Sequence, residues 1–404
     1  MSGANVPLEQ VDAARSGVRK FVLNMGPQHP STHGVLRVLI ELDGETITQA
    51  DPDIGYLHTG IEKQCEALTY QQAVTLTDRV DYLSNLTNNL GYALAVEKLL
   101  GLEIPPKAQW MRVLLAELTR INSHLVWLGT SAMDVGAMTV FFYTFRERES
   151  ILKIFEMFSG QRMMTSYIRV GGLALEPPRG WQKAVRDFIR GFPEKVDEYE
   201  ALLSRNPIFL NRTRGVGYMA LDDLLDYGVT GPLIRAAGLA WDIRKSEPYS
   251  SYEKFDFEIP VRTESDVYAR YQVRVEEMRQ SARIVEQALE GMPEGPYQAD
   301  APHVVLPDRE KMKTQMEALI YHFKLVSEGF QAPAGEAYQV VESPRGELGY
   351  YVVSDGSAKP YRVFMRTPSF GNLQALKPMF EGRLIADSIA IMGSLDFVLG
   401  DVDR

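Results

Sequence analysis

The amino-acid sequence predicts an α+β fold: a central bundle of long helices flanked by small antiparallel β-sheets from the N- and C-terminal regions. Three observations predict it. Between about residues 61 and 330, apolar residues recur at helical spacing in several long runs. On either side, residues 35–52 and 336–370 alternate apolar and polar residues between Gly, Pro and Asp, as short strands do. Finally, 404 residues, 45% of them hydrophobic and 24% charged, can bury a large core in one big domain or two interlocked ones.

Taken in order, residues 1–20 have no apolar run behind a charged start, so they are not a secretory signal and are expected to form a flexible arm. Residues 21–60 are expected to form a β-hairpin region, because VLRVLIEL and ETITQADP are joined by Asp43-Gly44, the strongest short hairpin signal. Just before it, MGPQHPSTHG places His29 and His33 four apart, the spacing with which a helix grips a metal. Pro30 between them, Gly26-Pro27 before and Gly34 after all oppose a helix. His29 is therefore assigned to shaping the loop, while His33 sits where a rigid loop enters a hairpin, a usual place for chemistry.

Residues 61–330 form the helical core of this expectation. Its first part, 61–100, is predicted as one long amphipathic helix, with Thr77-Asp78 as a cap and Leu83, Leu86, Leu90, Ala93, Val96 and Leu100 recurring at helical spacing. Pro105-Pro106 opens a second helix, a third runs from about Met138 to Phe158, and two more cover 180–204 and 266–290, the last closed by Gly291. Between those two, 206–264 is an irregular insertion of loops and short helices, rich in Gly, Pro and aromatics. A helix over 311–330 leads into a C-terminal α+β region, 331–404, that packs back on the core.

Composition excludes several functions. A net charge of −10 and a pI near 5.3 oppose a general nucleic-acid binder, which needs a basic face. The single cysteine, Cys65, excludes a disulfide framework, a CxxC zinc site and an iron–sulfur cluster held by this chain alone, so any redox cofactor must come from elsewhere. The most apolar window, 125–145, contains Asp134 and two glycines, so the chain is not expected to span a membrane by itself. Neither a dinucleotide fingerprint, a P-loop nor a G-x-S-x-G elbow occurs.

Among individual residues, His124 and His322 lie in helical runs where packing is the plain explanation, His303 in a Pro-flanked loop, and His58 in a turn before Gly60. Asp134 stands in an apolar run, and burying a lone carboxylate costs several kcal/mol, so it needs a cation or a histidine as partner. In TLTDRVDYLSNL, Asp78, Arg79 and Asp81 crowd a helix start beside Tyr82; the plain reading is capping with a surface ion pair. These residues offer candidates without a substrate.

NMGPQHPSTHGVLR, IGYLHTGIEK, RVDYLSNL, FFYTFRERE, GQRMMTSYIRVGG, ESPRGELGYYVVSDG and SLDFVLGDVDR, in that order from about Val22 to Arg404, resemble the 49 kDa subunit (the bacterial D subunit) of proton-pumping NADH:quinone oxidoreductase, respiratory complex I. That family is similar in turn to the nickel–iron hydrogenase large subunit, whose fold the resemblance implies and whose metal is held by two cysteine pairs. The matching positions here are Asp81 and Ser84, then Val398 and Asp401. No thiolate remains, so the resemblance implies no metal and a cavity free for a quinone headgroup.

The resemblance further implies that His33 and Tyr82 bind the headgroup and donate protons, that Asp134 is the acid paired with His33, and that Arg79 lies near the terminal cluster. It places a [4Fe-4S] cluster in the adjacent B subunit, FMN and NADH on other subunits, and subunits B, C, I and H as partners. It implies peripheral attachment at the cytoplasmic side of the bacterial inner membrane, with no nucleic acid. Two rivals are weighed: a scaffold subunit without quinone contact, and a hydrogenase-like metalloenzyme, which the missing cysteines oppose.

Overall fold

A computed structural model describes residues 20–32 and 34–404; the arm expected over 1–20, Lys20 apart, and His33 lie outside the described residues. The first sheet is antiparallel, ordered β1 (Lys20–Met25), β2 (Arg37–Asp43), β3 (Thr46–Asp53). Asp43 pairs with Thr46 across the expected hairpin turn, where Gly44 takes φ +63°, a conformation costly for a side chain. Val38, Ile40 and Leu42 alternate inward from β2. On β3, the Ile47 N–H donates to Arg383 O and the Gly382 N–H to Ile47 O, both at 2.8 Å, which docks this sheet on the C-terminal region.

The one long helix expected over 61–100 is three: α1 (Ile61–Ala67), α2 (Tyr70–Val80) and α3 (Asn85–Leu100). Thr69 and Gln72 form a capping box that starts α2, and Asp81 turns extended (φ −127°, ψ 96°) to end it. Thr77 and Asp78 thus lie inside α2 rather than capping a helix, and Leu83 lies between helices. The periodicity was genuine from Leu86 to Val96, whose apolar members are buried on α3, and coincidental before it.

Pro106 opens α4 (Pro106–Asp134), the central helix, followed by α5 (Met138–Ser159). A two-stranded pair, β4 (Ile168–Arg169) and β5 (Gly172–Leu173), leads to α6 (Trp181–Leu203). The irregular region holds α7 (Pro207–Thr213), α8 (Leu221–Asp226), α9 (Pro232–Ala236) and α10 (Ile243–Ser246). Next comes α11 (Val267–Gly291), of which Gly291 is the last residue. The helix expected over 311–330 is broken at Gln315 (φ −125°, ψ 120°) into α12 (Arg309–Thr314) and α13 (Met316–Ser327). The second three-stranded antiparallel sheet is β6 (Gly335–Ser343), β7 (Gly346–Ser354) and β8 (Arg362–Arg366). Short helices α14 (Pro368–Gln374), α15 (Leu376–Phe380), α16 (Ile385–Leu395) and α17 (Leu399–Asp403) finish the chain. The arrangement is α+β, and no helix among the described residues is long and apolar enough to cross a membrane.

The interior is unusually charged where α4 meets α11. Glu117 on α4 accepts from Arg244 Nη1 (3.1 Å), Tyr252 Oη (2.6 Å) and Ser281 Oγ (2.7 Å). Glu277 on α11 accepts from Arg235 Nε (2.9 Å) and from His124 Nε2 (2.8 Å), and Arg235 Nη1 reaches Glu342 Oε1 of β6 (2.8 Å). Burial holds His124 below the usual imidazole range, so its ring is neutral and donates from Nε2, a structural role. Removing one member of such a buried network strands its partners at a cost of about 3–5 kcal/mol, so the network ties α4, α9, α11 and β6 together.

Candidate functional site

Tyr82 stands where α2 ends and α3 begins. The break is held by local bonds: the Ser84 N–H donates to Asp81 O (3.0 Å), the Leu83 N–H to Asp81 Oδ1 (3.1 Å), and Asn122 Nδ2 of α4 to Leu83 O (3.2 Å). The Tyr82 side chain is half-buried, and burial, then the charge of Asp81, raises its phenol above the usual range. Its proton is therefore held firmly, yet it stands ready for an acceptor more basic than water.

Beneath Tyr82 lies a buried group of three carboxyls and an arginine. Arg345, in the turn between β6 and β7, donates from Nη1 to Asp81 Oδ2 (2.6 Å) and Ser123 Oγ (3.0 Å). It also donates from Nε to Asp396 O (2.7 Å) and from Nη2 to Asp396 Oδ1 (3.2 Å). Asp401 joins from α17, where it accepts from the Ser369 N–H (2.9 Å). Its helix rests directly on the end of α2: a Cβ on Gly400 would lie 2.7 Å from Val80 O and 2.8 Å from Arg79 O. The two stretches compared above with cysteine pairs, 81–84 and 398–401, are thus side by side although far apart in sequence. Burial, then Asp81, pushes the Asp401 carboxyl up to about 7.

Asp134 occupies a different hollow, at the C-terminal end of α4. Twelve residues separate it from Asn122, about 18 Å along the helix axis, and Tyr82 does not line its hollow. The hollow, a small cavity of about 20 Å³, is walled by Trp127, Ser131, Phe209, Tyr271, Gly393 and other mostly apolar residues. Trp127 Nε1 (2.7 Å) and Ser131 Oγ (3.3 Å) both donate to Gly393 O, pinning α16 against α4. Gly393 lies against the carboxylate: a Cβ there would be at ordinary contact distance, 3.5 Å, from Asp134 Oδ2. Burial pushes the Asp134 carboxyl up to about 6. The cation or histidine expected beside it is not found among the described residues; the short helical turn Pro30–Thr32, next to His33, packs against α16 as Asp134 does.

Arg79 is exposed, with Nη1 donating to Thr75 O at 2.5 Å. The surface ion pair expected around it is not found among the described residues: Asp78 is buried and accepts from Ser166 Oγ, and Asp81 belongs to Arg345. All three lie at the end of α2, not at a helix start. His29 accepts the Ser31 N–H on Nδ1 (3.2 Å) and anchors the turn through its carbonyl. His58 Nδ1 meets Asp403 O at 2.7 Å, while the Asp403 carboxylate accepts from Gly55 N (2.9 Å) and Leu57 N (2.7 Å), binding the 54–58 loop to the C-terminal helix. Reasoning from sequence missed Arg345, Asp396 and Asp403. The available signal was charge placed inside apolar text, in ESPRGELG and LDFVLGDVDR.

Among the described residues no group of three His, Cys, Asp or Glu side chains is arranged to hold a metal. Cys65 is buried, and burial pushes its thiol up to about 12, far from a reactive thiolate.

The family model described as the respiratory-chain NADH dehydrogenase 49 kDa subunit matches residues 134–404. The chain is 71% identical to the NADH-quinone oxidoreductase D-subunit 1 of Solibacter usitatus, covering 100% of each chain. It is 67% identical to D-subunit 2 of Koribacter versatilis (96% of each) and 56% identical to the D-subunit of Geotalea uraniireducens (95% of this chain, 98% of that one). The chain belongs to the 49 kDa subunit family of respiratory-chain NADH dehydrogenase.

Proposed function

We propose that this chain is the quinone-site subunit of NADH-quinone oxidoreductase, contributing proton donors to quinone reduction. The observation that carries the reading is the phenol of Tyr82, half-buried at a helix break above the Asp81–Arg345 pair in a site without thiolates. Reducing a quinone takes two electrons and two protons, and the doubly reduced oxygens are strong bases. A phenol of ordinary pKa near 10 and an imidazolium near 6.5 both donate to such oxygens. In this reading Tyr82 and His33 bind the headgroup. Asp134, whose carboxyl titrates near neutrality, is the acid that answers the charge of His33. Arg79 is the exposed cation at the end of α2, free to favour a reduced, negatively charged centre on a neighbouring chain.

With one buried cysteine in the chain, electrons reach the quinone from a [4Fe-4S] cluster on the adjacent B subunit, while NADH and FMN act on other subunits. Subunits C, I and H complete the surroundings in this proposal, and attachment to the cytoplasmic face of the inner membrane comes through them. The bundle is then the frame of a hydrogenase large subunit whose metal cradle has become a quinone hollow. Proton translocation starts from charge changes at His33 and Asp134 on reduction. The test is Tyr82→Phe in the assembled complex: this reading expects loss of quinone reduction with the complex intact. An unchanged rate overturns it and favours a scaffold subunit without quinone contact.

A further inference from the structure

We infer that Asp401 is a proton-holding carboxyl: the buried group formed by Asp81, Asp396, Asp401 and Arg345 stores one exchangeable proton, resident on Asp401, that replenishes Tyr82. Its use by Tyr82 rests on the quinone reading; the store itself does not.

Three carboxyls arrive from three segments, the end of α2, the end of α16 and α17, and all are at most 4% exposed. Arg345, fully buried, bonds directly to two of them, Asp81 and Asp396. The third, Asp401, has no cation within ion-pair distance among the described residues and accepts the neutral Ser369 backbone N–H on Oδ2. A second buried guanidinium, Arg274 of α11, stacks on Trp127 and pairs with Asp396 Oδ2 at 4.0 Å, its nitrogens otherwise without hydrogen-bond partners; it forms no ion pair with Asp401. Two buried oxygens of this neighbourhood, Asp396 Oδ2 and Ser84 Oγ, have no hydrogen-bond partner, so there is unused capacity to bond hydrogen. Three buried carboxylates facing two buried cations cannot all ionise cheaply, and the member left without a direct ion pair keeps its proton.

The surroundings from every side agree. Asp81 from the end of α2 and Arg345 from the turn before β7 act on Asp401 directly; Tyr350 of β7 feels both Asp401 and Asp78; Tyr82 borders Asp81, Arg345 and Asp396; and Arg274 of α11 pairs with Asp396. On α17 itself Asp403 is engaged by the backbone of the 54–58 loop. Three carboxyls outnumber the two cations, and the Asp401 carboxyl, pushed up to about 7, exchanges in the working range of pH. Gly400 pressed on Val80 and Arg79 carbonyls fixes the distance, so the group cannot relieve its charge by drifting apart.

When Tyr82 gives its phenolic proton to a reduced quinone oxygen, the net replenishing step breaks the carboxyl O–H of Asp401 and forms the phenol O–H of Tyr82. No electrons move. A tyrosinate with a raised pKa takes the proton from a carboxyl near 7 downhill, and Asp401 then recovers a proton from solvent.

The test uses the assembled complex. Infrared titration of wild type is expected to show a protonated-carboxyl absorption lost as pH rises through about 7. It should be missing in Asp401→Asn and present again in Asp401→Glu. Quinone reduction in Asp401→Asn is expected to fall about 10-fold or more, with the rate no longer declining as pH rises past neutrality, and Asp401→Glu should restore both. An identical carboxyl absorption in wild type and Asp401→Asn overturns the store, and an unchanged rate and pH profile overturns its use. If Tyr82→Phe keeps its rate while the Asp401 absorption is present, the quinone reading fails and the store stands.

Discussion

Asp134 gives the sharpest numerical prediction. Its carboxyl is raised from 3.8 to about 6 by burial, so the folded state binds a proton more tightly than the unfolded chain does. The sign follows directly: stability contributed by the protonated form is complete below about pH 4 and is lost as pH rises through about 6. At about 1.4 kcal/mol per pH unit, the gap between 3.8 and about 6 corresponds to about 3 kcal/mol, an upper figure because the side chain is half-buried. Asp134→Asn is isosteric and never charges, so it should match wild type at pH 4 and be more stable by about 1–3 kcal/mol at pH 8. Urea unfolding of the chain at both pH values, followed by tryptophan fluorescence, measures this, since Trp127 lines the same hollow. An equal difference at the two pH values would refute the assignment. A variant less stable at pH 8 would instead mean that the carboxylate has a cationic partner in the native state, as the proposed pairing with His33 would supply.

Three further perturbations follow from the packing. Arg345→Met strands the Asp81 and Asp396 carboxylates and should cost about 3–5 kcal/mol in denaturant unfolding, whereas Arg345→Lys keeps the charge and should lose less. Gly400→Ala drives a methyl into the Val80 and Arg79 carbonyls, so a loss of about 1–3 kcal/mol and faster amide exchange in α17 are expected; wild-type stability would show that α17 yields. Cys65 should resist thiol reagents until the chain opens, so its labelling rate should track unfolding across a denaturant series; rapid labelling of the native chain would contradict its burial.

The helical core and both sheets were legible where a single period persists and punctuation is strong. Pro106 at the start of α4, Asp43-Gly44 in the hairpin, and the α5, α6 and α11 runs are all local signals. The two misjudged helices have a common cause. A break such as Asp81 to Ser84 or Gln315 leaves apolar spacing on either side close to helical phase, and only the backbone reveals that the chain turned extended there. Composition likewise excluded a metal held by thiolates, since one cysteine cannot make a pair.

What the sequence determined by itself was the element types, because propensity and periodicity act over a few residues; it also flagged Asp134 as a charge in apolar text, while Tyr82 came forward as a candidate only through the family resemblance. Tertiary structure alone decided that Asp81, Arg345, Asp396 and Asp401, spread from position 81 to 401, share one buried site, and that Asp134 lies in a separate hollow. It also decided that Arg79 points outward while Asp78 and Asp81 point in. The physical reason is that a charge acquires its partner, its desolvation and its pKa only from groups brought near by folding, and none of these is a property of neighbours along the chain.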